Sequence, residues 1–380
     1  MSIFIIFISA LFVQQIYHLF VFSRIAFYKS VPTGTKALPA VSLVVCCKNE
    51  RSNIEKHLPF LLSQQYPAFE ILVMDDDSND GTFEYMEEMK LSFPLHEIRC
   101  IRVQKKIAGK KEVLFEGVKA AKYEFVLVTD ADCKPSSNQW IRQMAEALNS
   151  ETAIVIGYAP FNVLAGNAVN LLSRFENFIT ACFYFSFAIA RIPYMGVGRN
   201  MLFRKNLYLE AFDRIIETGT LSGDDDLFIQ YAANRENCEV CIDSDTFLYS
   251  DAKTNWRDFF QQKARHISTG FHYKKSYLLI LSMYPLTMLI FISAYLRMFF
   301  CKDNDFIFAT VVLSIYFLMI WQLKKRAAAI LHFKSKMPLL IMDIFFLLYQ
   351  IILVILPFKT KKARWQENKS NRNELKMTQN

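Results

Sequence analysis

Two aspartates, two positions apart, end an apolar run near the middle of this 380-residue chain. Residues 125–128 form a buried-strand pattern, and Asp130 and Asp132 follow it. Side chains at i and i+2 of a strand face the same side, so these carboxylates can converge just past the strand's carboxyl end. Two hard oxygen ligands there suit a divalent metal that also holds a diphosphate, either Mg²⁺ or Mn²⁺. The alternative is a capped turn after a buried strand.

Other charged residues occupy positions that also need an explanation. Asp75 and Asp76 directly follow an apolar strand pattern, where a carboxylate can accept hydrogen bonds from a base N–H or a ribose hydroxyl. Asp80 is better explained as a turn residue that caps the next helix. Lys110 and Lys111 sit at a predicted helix start, where the macrodipole disfavours cations. Either an anionic ligand or ordinary solvent exposure explains that placement.

The elements that position these residues follow a regular alternation. Four apolar strand patterns alternate with helical patterns, at residues 41–47, 70–74, 98–103 and 125–128. This order predicts an α/β fold with a mostly parallel sheet and right-handed crossovers. Ser52 and Glu55 predict a capping box at the start of the first helix. Ala153–Gly157 is a candidate fifth strand.

The hydrophobic residues, 53 % of the chain, are concentrated at its two ends. Residues 2–23 are apolar enough to span a bilayer and lack the flanks of a cleaved signal peptide, which predicts a retained anchor. Three more apolar spans cover about 277–296, 306–323 and 338–357. Arg24 and Lys29 place the inner end of the first span in the cytosol.

The net charge of +8 lies in short basic clusters that flank these spans or occupy a loop. Such clusters indicate membrane-orienting charge and membrane lipids as partners, with no nucleic-acid surface. Eight cysteines without a disulfide framework favour a reduced, cytosolic setting. The lone pair Cys238 and Cys241 is better explained by a short strand between them than by zinc.

Two segments allow more than one interpretation. Residues 165–190 are rich in phenylalanine and form either a core helix or a membrane-interface helix; we expect the membrane surface, with Phe183 and Phe187 in contact with lipid. The positive-inside rule places residues 324–336 in the cytosol and residues 301–305 outside. If every span crosses, the basic cluster at 359–364 ends outside, against that rule. Asp343 also disfavours a simple crossing, so the last span is crossing, re-entrant or interfacial.

Seven segments, in this order and spacing, resemble glycosyltransferase family 2, whose members are membrane-anchored enzymes with a GT-A catalytic domain. They are Cys47-Lys-Asn-Glu50, Val73-Met-Asp-Asp-Asp-Ser-Asn-Asp-Gly-Thr82, Gly109-Lys-Lys111, Thr129-Asp-Ala-Asp132, Gly196-Val-Gly-Arg-Asn200, Gly223-Asp-Asp225 and Gln262-Lys-Ala-Arg265. The resemblance covers about residues 40–270. It implies an anchor at 1–30, a cytosolic GT-A domain at 38–270, a membrane region at 276–358 and a basic polar tail at 359–380.

The resemblance also implies roles for individual residues. Asp225 is the implied catalytic base, and Arg199, Asn200 and Asp224 are implied to contact the acceptor. Asp130 and Asp132 are the implied metal ligands. The implied nucleotide-sugar contacts are Glu50, Asp75, Asp76, Lys110, Asp130, Asp132, Gln262 and Arg265.

The implied activity is inverting transfer from a nucleotide-sugar, expected to be a UDP-sugar, to a lipid-linked or glycan acceptor at the cell (inner) membrane. Two residues depart from the family pattern. Asp77 stands where the family usually has glycine. His266 stands where processive polysaccharide synthases have tryptophan, which favours transfer of one or a few sugars. The alternatives are a processive polysaccharide synthase and an inactive membrane scaffold.

Overall fold

The computed structural model describes residues 3–29, 38–104, 109–220 and 222–350. The strands are β1 Val41–Cys47, β2 Phe69–Asp75, β3 Ile98–Arg102, β4 Phe125–Asp130, β5 Lys134–Pro135, β6 Ile154–Ile156, β7 Met201–Arg204, β8 Cys238–Val240 and β9 Leu248–Tyr249. The helices of the catalytic region are α3 Arg51–Leu62, α4 Thr82–Ser92, α5 Lys111–Ala120, α6 Trp140–Glu146, α7 Ala168–Ile189, α8 Lys205–Glu217, α9 Asp226–Ala232 and α10 Trp256–Gly270.

The apolar helices lie at the two ends of the described chain. They are α1 Ile3–Tyr17 with a π-helical turn His18–Phe22 and α2 Ser23–Ala26, then α11 Lys275–Cys301, α12 Phe306–Ile330 and α13 Leu339–Gln350. By length and composition, three helical stretches are able to cross a membrane: 3–26, 275–301 and 306–330. The predicted spans in these three regions are therefore present as helices.

The large sheet has seven strands in the order β3-β2-β1-β4-β7-β6-β8. β1 to β4 pair in parallel, and β7 runs antiparallel between β4 and β6. The predicted α/β fold with a mostly parallel sheet is confirmed, including the strand near residues 153–157. A two-stranded sheet of β5 and β9 lies apart from it.

The central strand β1 is buried along its whole length because both faces of the sheet are covered. Leu43 and Val45 pack into one hydrophobic cluster, while Val44 and Cys46 pack into the cluster on the opposite face. Each such aliphatic side chain contributes about 1.5–3 kcal/mol when fully buried. This double-sided core fixes the strand register, and the register fixes where the polar residues at the strand ends lie.

The start of α3 differs from the predicted capping box. Glu55 pairs with Arg51 at 3.0 Å and does not reach back to cap the helix. Asp80 serves instead: its Oδ2 accepts from the Arg51 backbone N–H at 3.1 Å, and its Oδ1 accepts from the Thr82 N–H at 3.0 Å. One carboxylate therefore caps two helix N-termini, and this ties the loops after β1 and β2 together.

Helix α7 is a core helix, so the expected lipid contact of Phe183 and Phe187 is wrong. Both rings are buried. Phe183 lies against Tyr17 of α1, with ring centroids 6.5 Å apart, and Ser186 donates to the Val21 carbonyl at 2.5 Å. The phenylalanine-rich face thus joins the catalytic domain to the first apolar helix, because that helix covers it before lipid can.

The last apolar helices hold a buried ion pair. Lys324 lies within α12, which continues past the predicted end at residue 323. Its ammonium meets the carboxylate of Asp343 of α13 at 2.5 Å, so the charge is compensated inside the protein. The α13 helix covers the first part of the predicted last span. The rest of that span and the tail at 359–380 lie outside the described residues.

Candidate active site

The parallel strands bring the predicted acidic segments to one edge of the sheet. Cys47 of β1 is in register with Asp75 of β2, and Cys46 is in register with Asp130 of β4. The loops after these three strands therefore open side by side at the carboxyl edge, where sheets of this class bind ligands.

The loops after β1 and β2 interlock through hydrogen bonds from backbone N–H groups to side-chain oxygens. Asn49 and Asp77 both adopt left-handed conformations, with φ of 54° and 52°. The Asn49 N–H donates to Ser78 Oγ at 2.8 Å, and the Asn79 N–H donates back to Asn49 Oδ1 at 3.0 Å. Asp77 thus occupies a conformation that glycine adopts most readily, which explains the usual glycine there.

The two aspartates at the end of β2 have different surroundings. Asp75 is fully buried, and its Oδ2 accepts from the Ser78 N–H at 3.2 Å and Arg102 Nε at 3.3 Å. That carboxylate therefore holds its own loop and β3. Asp76 lies nearer the edge, with Lys48 Nζ 3.5 Å from its Oδ2. Of the two predicted nucleoside contacts, the geometry favours Asp76.

Three carboxylates gather beside β4. Burial, followed by the charges of Asp132 and Asp130, raises the pKa of Glu50, against a hydrogen bond from Asn53. Burial and then the charge of Asp130 raise the pKa of Asp132, while the charges of Arg199 and Lys110 oppose the shift. Lys110 donates to Asp130 Oδ1. The predicted grouping of Glu50, Lys110, Asp130 and Asp132 is thus present as one charged cluster.

This cluster is short of positive charge. The raised pKa of Asp132 means that its ionised form is disfavoured, first by burial and then by repulsion from Asp130. A divalent cation between Asp130 and Asp132 would relieve that repulsion, and both residues offer the hard oxygen atoms that Mg²⁺ and Mn²⁺ prefer. Among the described residues no group of three or more His, Cys, Asp or Glu is placed to hold a metal by itself. The pair therefore suits a metal whose other ligands come from a bound diphosphate or water.

The two predicted acceptor contacts, Arg199 and Asn200, lie in different surroundings. Arg199 donates to Ser250 Oγ at 2.6 Å and to the Ala159 carbonyl at 2.9 Å, and its charge reaches Asp132. It therefore borders the carboxylate cluster.

The prediction for Asn200 is wrong. Its side chain is fully buried, and Oδ1 accepts from Trp140 Nε1 at 3.0 Å. Its Nδ2 donates to the carbonyls of Tyr158, at 2.7 Å, and Thr246, at 2.8 Å. With these atoms engaged, Asn200 joins three chain segments beneath the site and does not reach an acceptor.

A second acidic group lies in the loop between α8 and α9. Asp225 Oδ2 accepts from the Gly198 N–H at 2.8 Å, and Oδ1 accepts from the Asp226 N–H at 2.9 Å. Burial, then the charge of Asp224, raises the pKa of Asp225 to about 6. A carboxylate with a pKa near the working pH is well suited to accept a proton.

Asp226, the next residue, is not among the predicted site residues and is an alternative candidate base only if Asp225 is wrongly assigned. Burial, then the charge of Asp225, raises the pKa of Asp226 well above its usual range, and Tyr273 donates to its Oδ2 at 2.6 Å. Tyr273 lies between α10 and α11. The loop with the candidate base is therefore connected to the start of a predicted membrane span.

Helix α10 carries Gln262 and Arg265, the predicted diphosphate contacts. The side chain of Gln262 is half-buried and that of Arg265 is exposed. Ser222 Oγ donates to the Arg265 carbonyl at 3.1 Å, so α10 lies directly beside the loop that holds Asp224 and Asp225. The structure thus brings α10 to the site, while the contact of these two side chains with a diphosphate stays a prediction.

Lys111 fits neither of the explanations given by its sequence. Its side chain is 2 % exposed, and its ammonium binds groups near the end of α8. The sequence signal was present, since a cation at a helix start is unusual. Its partners lie over 100 positions away in the chain, so the pattern alone did not identify them.

The strand order and the acidic edge of the sheet agree with the GT-A fold that the resemblance implies. Residues 42–212 match the family model described as Glycosyl transferase family 2, which confirms the resemblance seen in the sequence. The mannosyltransferase PcManGT of Pyrobaculum calidifontis, solved with GDP-Man and Mn2+, has a similar structure, with a TM-score of 0.55 at 15 % identity over 88 % of this chain and 100 % of that one. At that identity the likeness concerns the fold alone.

Two curated relatives align with the catalytic region. Poly-beta-1,6-N-acetyl-D-glucosamine synthase of Staphylococcus epidermidis is 33 % identical over 124 residues, which are 32 % of this chain and 28 % of that protein. Glycosyltransferase AglE of Haloferax volcanii is 28 % identical over 125 residues, which are 32 % of this chain and 40 % of that protein. The alignments thus span less than half the length of either relative.

Proposed function

We propose that this protein is a membrane-bound inverting glycosyltransferase. It transfers a sugar from a nucleotide-sugar, a UDP-sugar in the first instance, to a lipid-linked or glycan acceptor in cell-envelope glycan or glycolipid synthesis. The observation that supports this most is the arrangement of two acidic groups. Asp130 and Asp132 lie at the carboxyl edge of the sheet, and Asp224 and Asp225 lie close enough for Asp224 to interact electrostatically with Lys110.

On the donor side, Asp76 and Glu50 bind the nucleoside, and Lys110 sits beside the diphosphate. Mg²⁺ or Mn²⁺ held by Asp130 and Asp132 would offset the charge that develops on the leaving diphosphate. Gln262 and Arg265 approach that diphosphate from α10. Lys110 then has two anionic partners, Asp130 and the donor, so donor binding relieves the unfavourable placement of a cation at the start of a helix.

On the acceptor side, Asp225 accepts the proton of the acceptor hydroxyl as its oxygen attacks the anomeric carbon. The bond to the diphosphate oxygen breaks in the same displacement, which inverts the anomeric centre. The two backbone N–H donors from Gly198 and Asp226 fix the carboxylate in one orientation. Asp224 lines the same space.

The proposed orientation in the membrane rests on the position of basic residues and on the compartment that contains the sugar donor. We propose that the catalytic domain lies in the cytosol at the inner face of the cell (inner) membrane. Arg24 lies at the inner end of the first apolar helical stretch, residues 3–26, and UDP-sugars are cytosolic. The short loop after α11 then faces outward. Cys301 at this loop is exposed, whereas Cys46 and Cys133 are buried.

A membrane-impermeant maleimide added to intact cells tests this orientation. It should label the wild type and fail to label Cys301→Ser. Labelling only after the membrane is opened would reverse the proposed topology.

A processive polysaccharide synthase is the second candidate, favoured by the match to the S. epidermidis synthase. His266 stands in place of the tryptophan of processive enzymes, which favours transfer of only one or a few sugars. The length of the products made by membranes incubated with labelled donor distinguishes the two candidate functions. One or a few added sugars would agree with the proposal, and a ladder of long chains would replace it.

A donor-panel assay on purified membranes tests the proposal as a whole. At least one nucleotide-sugar should be consumed, with release of the nucleoside diphosphate and loss of activity on chelation. If no donor is hydrolysed or transferred, the protein is a membrane scaffold with a GT-A domain.

A further inference from the structure

Lys111 is a buried cation that the proposed chemistry does not use. It is the first residue of α5 and directly follows Lys110, yet the two ammonium groups have different hydrogen-bond partners. Lys110 donates to Asp130 on the donor side. Lys111 instead enters the protein interior, where its charge must be compensated by its neighbours.

The ammonium of Lys111 has a complete set of partners. It donates to the Ile215 carbonyl at 3.2 Å, to Thr218 Oγ1 at 3.5 Å and to Thr220 Oγ1 at 2.8 Å. Three donors meet three acceptors, as an ammonium group requires when it is buried. Two of the partners lie at the C-terminal end of α8, where the helix macrodipole favours a cation.

A chain of hydrogen bonds continues from Lys111 towards the acidic loop. Thr220 Oγ1 donates to the Ser222 carbonyl at 2.7 Å. The Ser222 hydroxyl lies 2.8 Å from Thr269 Oγ1 of α10. The next residue, Gly223, has a φ of 95°, and a Cβ there would lie 2.3 Å from Thr269 Cγ2. The segment just before Asp224 is therefore clamped between α5 and α10.

The charges agree with this geometry. Burial lowers the pKa of Lys111, and the charges of Asp224 and Asp225 oppose that shift. The attraction is mutual, so an ammonium at this position also favours the ionised carboxylates. Lys111 thus influences the loop through both its hydrogen bonds and its charge.

We propose that Lys111 is a positioning residue for the acceptor-side carboxylates and acts on them through Thr220. This inference rests on the proposed function of the site, and it divides the work between two adjacent lysines. Lys110 serves donor binding. Lys111 holds the loop that must place a carboxylate against the acceptor hydroxyl.

The test compares Lys111→Met with Lys110→Met in the full-length protein. Lys111→Met should lower kcat by on the order of tenfold to a hundredfold, because small displacements of a reacting group are costly, while donor Kd stays within about twofold. Lys110→Met should weaken donor binding. Lys119→Met, an exposed change on the same helix, is the matched control and should leave both quantities unchanged.

Thr220 provides a second route if Lys111→Met does not fold. Thr220→Val removes the bridging hydroxyl at nearly constant shape and should reproduce the loss of kcat, whereas Thr220→Ser should restore it. Equal losses of kcat and donor affinity in these variants, or wild-type kcat in Thr220→Val, would overturn the proposal.

Hydrogen exchange separates this inference from the proposed function. The amides of residues 223–226 should exchange faster in Lys111→Met and Thr220→Val than in the wild type or Lys119→Met. Wild-type protein that is inactive with every donor would refute the proposed function, and the exchange result would still stand for the loop. Unchanged exchange in both variants would refute the positioning role.

Discussion

The donor side and the acceptor side of the site are built in different ways. On the donor side, Asp76 and Asp130 stand at or just after the ends of β2 and β4, the parallel strands on either side of β1, and the sheet register places them. On the acceptor side, Asp225 lies in a loop between two helices and is held by the Gly198 N–H, 27 positions away. The buried sheet positions the residues of the donor side, whereas hydrogen bonds between residues far apart in the chain position those of the acceptor side.

This difference implies that the two sides can be disrupted separately. Strand ends are fixed by buried β-sheet, so a substitution there changes charge with little change of shape. The acceptor loop depends on contacts with α5, α10 and the segment at Gly198. We therefore expect donor binding and transfer to respond to different mutations, and the following predictions rank those responses.

The largest effect is expected from Asp132→Asn. The change removes one negative charge from the proposed metal pair, so both donor consumption and transfer should fall by several orders of magnitude. Initial rates with saturating metal and labelled donor measure this. Asp213→Asn, an exposed carboxylate on α8, is the control and should retain activity. Wild-type rates in Asp132→Asn would remove this residue from the metal site.

Asp225→Asn should abolish most transfer. A general base contributes on the order of 10²- to 10⁴-fold in rate, and the amide keeps the shape of the carboxylate without its basicity. Single-turnover transfer with labelled donor gives the rate of the chemical step directly. If the variant transfers at the wild-type rate, the base is wrongly assigned, and Asp224 or Asp226 becomes the next candidate.

Asn200→Ala should affect stability more than chemistry. It leaves Trp140 Nε1 and the carbonyls of Tyr158 and Thr246 without their partner, and each unsatisfied buried group costs roughly 1–3 kcal/mol. Thermal unfolding in detergent should shift to lower temperature, while donor affinity per folded molecule is preserved. A stable variant with lost acceptor affinity would restore the original prediction for this residue.

The smallest effect is a shift in pH dependence. Asp225 must be ionised to accept a proton, so kcat should fall as the pH drops through about 6. Asp224→Asn removes one of the charges that raise this pKa; Asp226 and Lys111 also act on it. The acid limb should therefore move to lower pH in Asp224→Asn, and an unchanged or raised midpoint would contradict the assignment.

The same contrast explains how much could be predicted from sequence. The fold and the strand ends with Asp130 and Asp132 follow from local patterns, because an apolar strand fixes where its next residues lie. The resemblance to the family supplied Glu50 and Lys110. Asn200 could not be interpreted in this way. Its three partners lie 40 to 60 positions away, and only the folded chain brings them together.

Two other outcomes have the same cause. Ser52 and Glu55 have the local form of a capping box, but Asp80 from the next loop makes the capping bond. Phe183 has the composition of a lipid-facing residue, but the first apolar helix packs against it. In each case the residue makes a contact with a distant part of the chain, and this contact replaces the one that the local sequence predicts.

The most direct test of the division between the two sides is donor binding in two variants from the same preparation. Calorimetric titration of donor with metal should give at least a tenfold weaker Kd for Asp132→Asn than for the wild type. The Kd of Asp225→Asn should stay within a few-fold of the wild type although its transfer is lost. Comparable losses of donor affinity in both variants would contradict the account, because donor binding and proton acceptance would then depend on one inseparable group of residues.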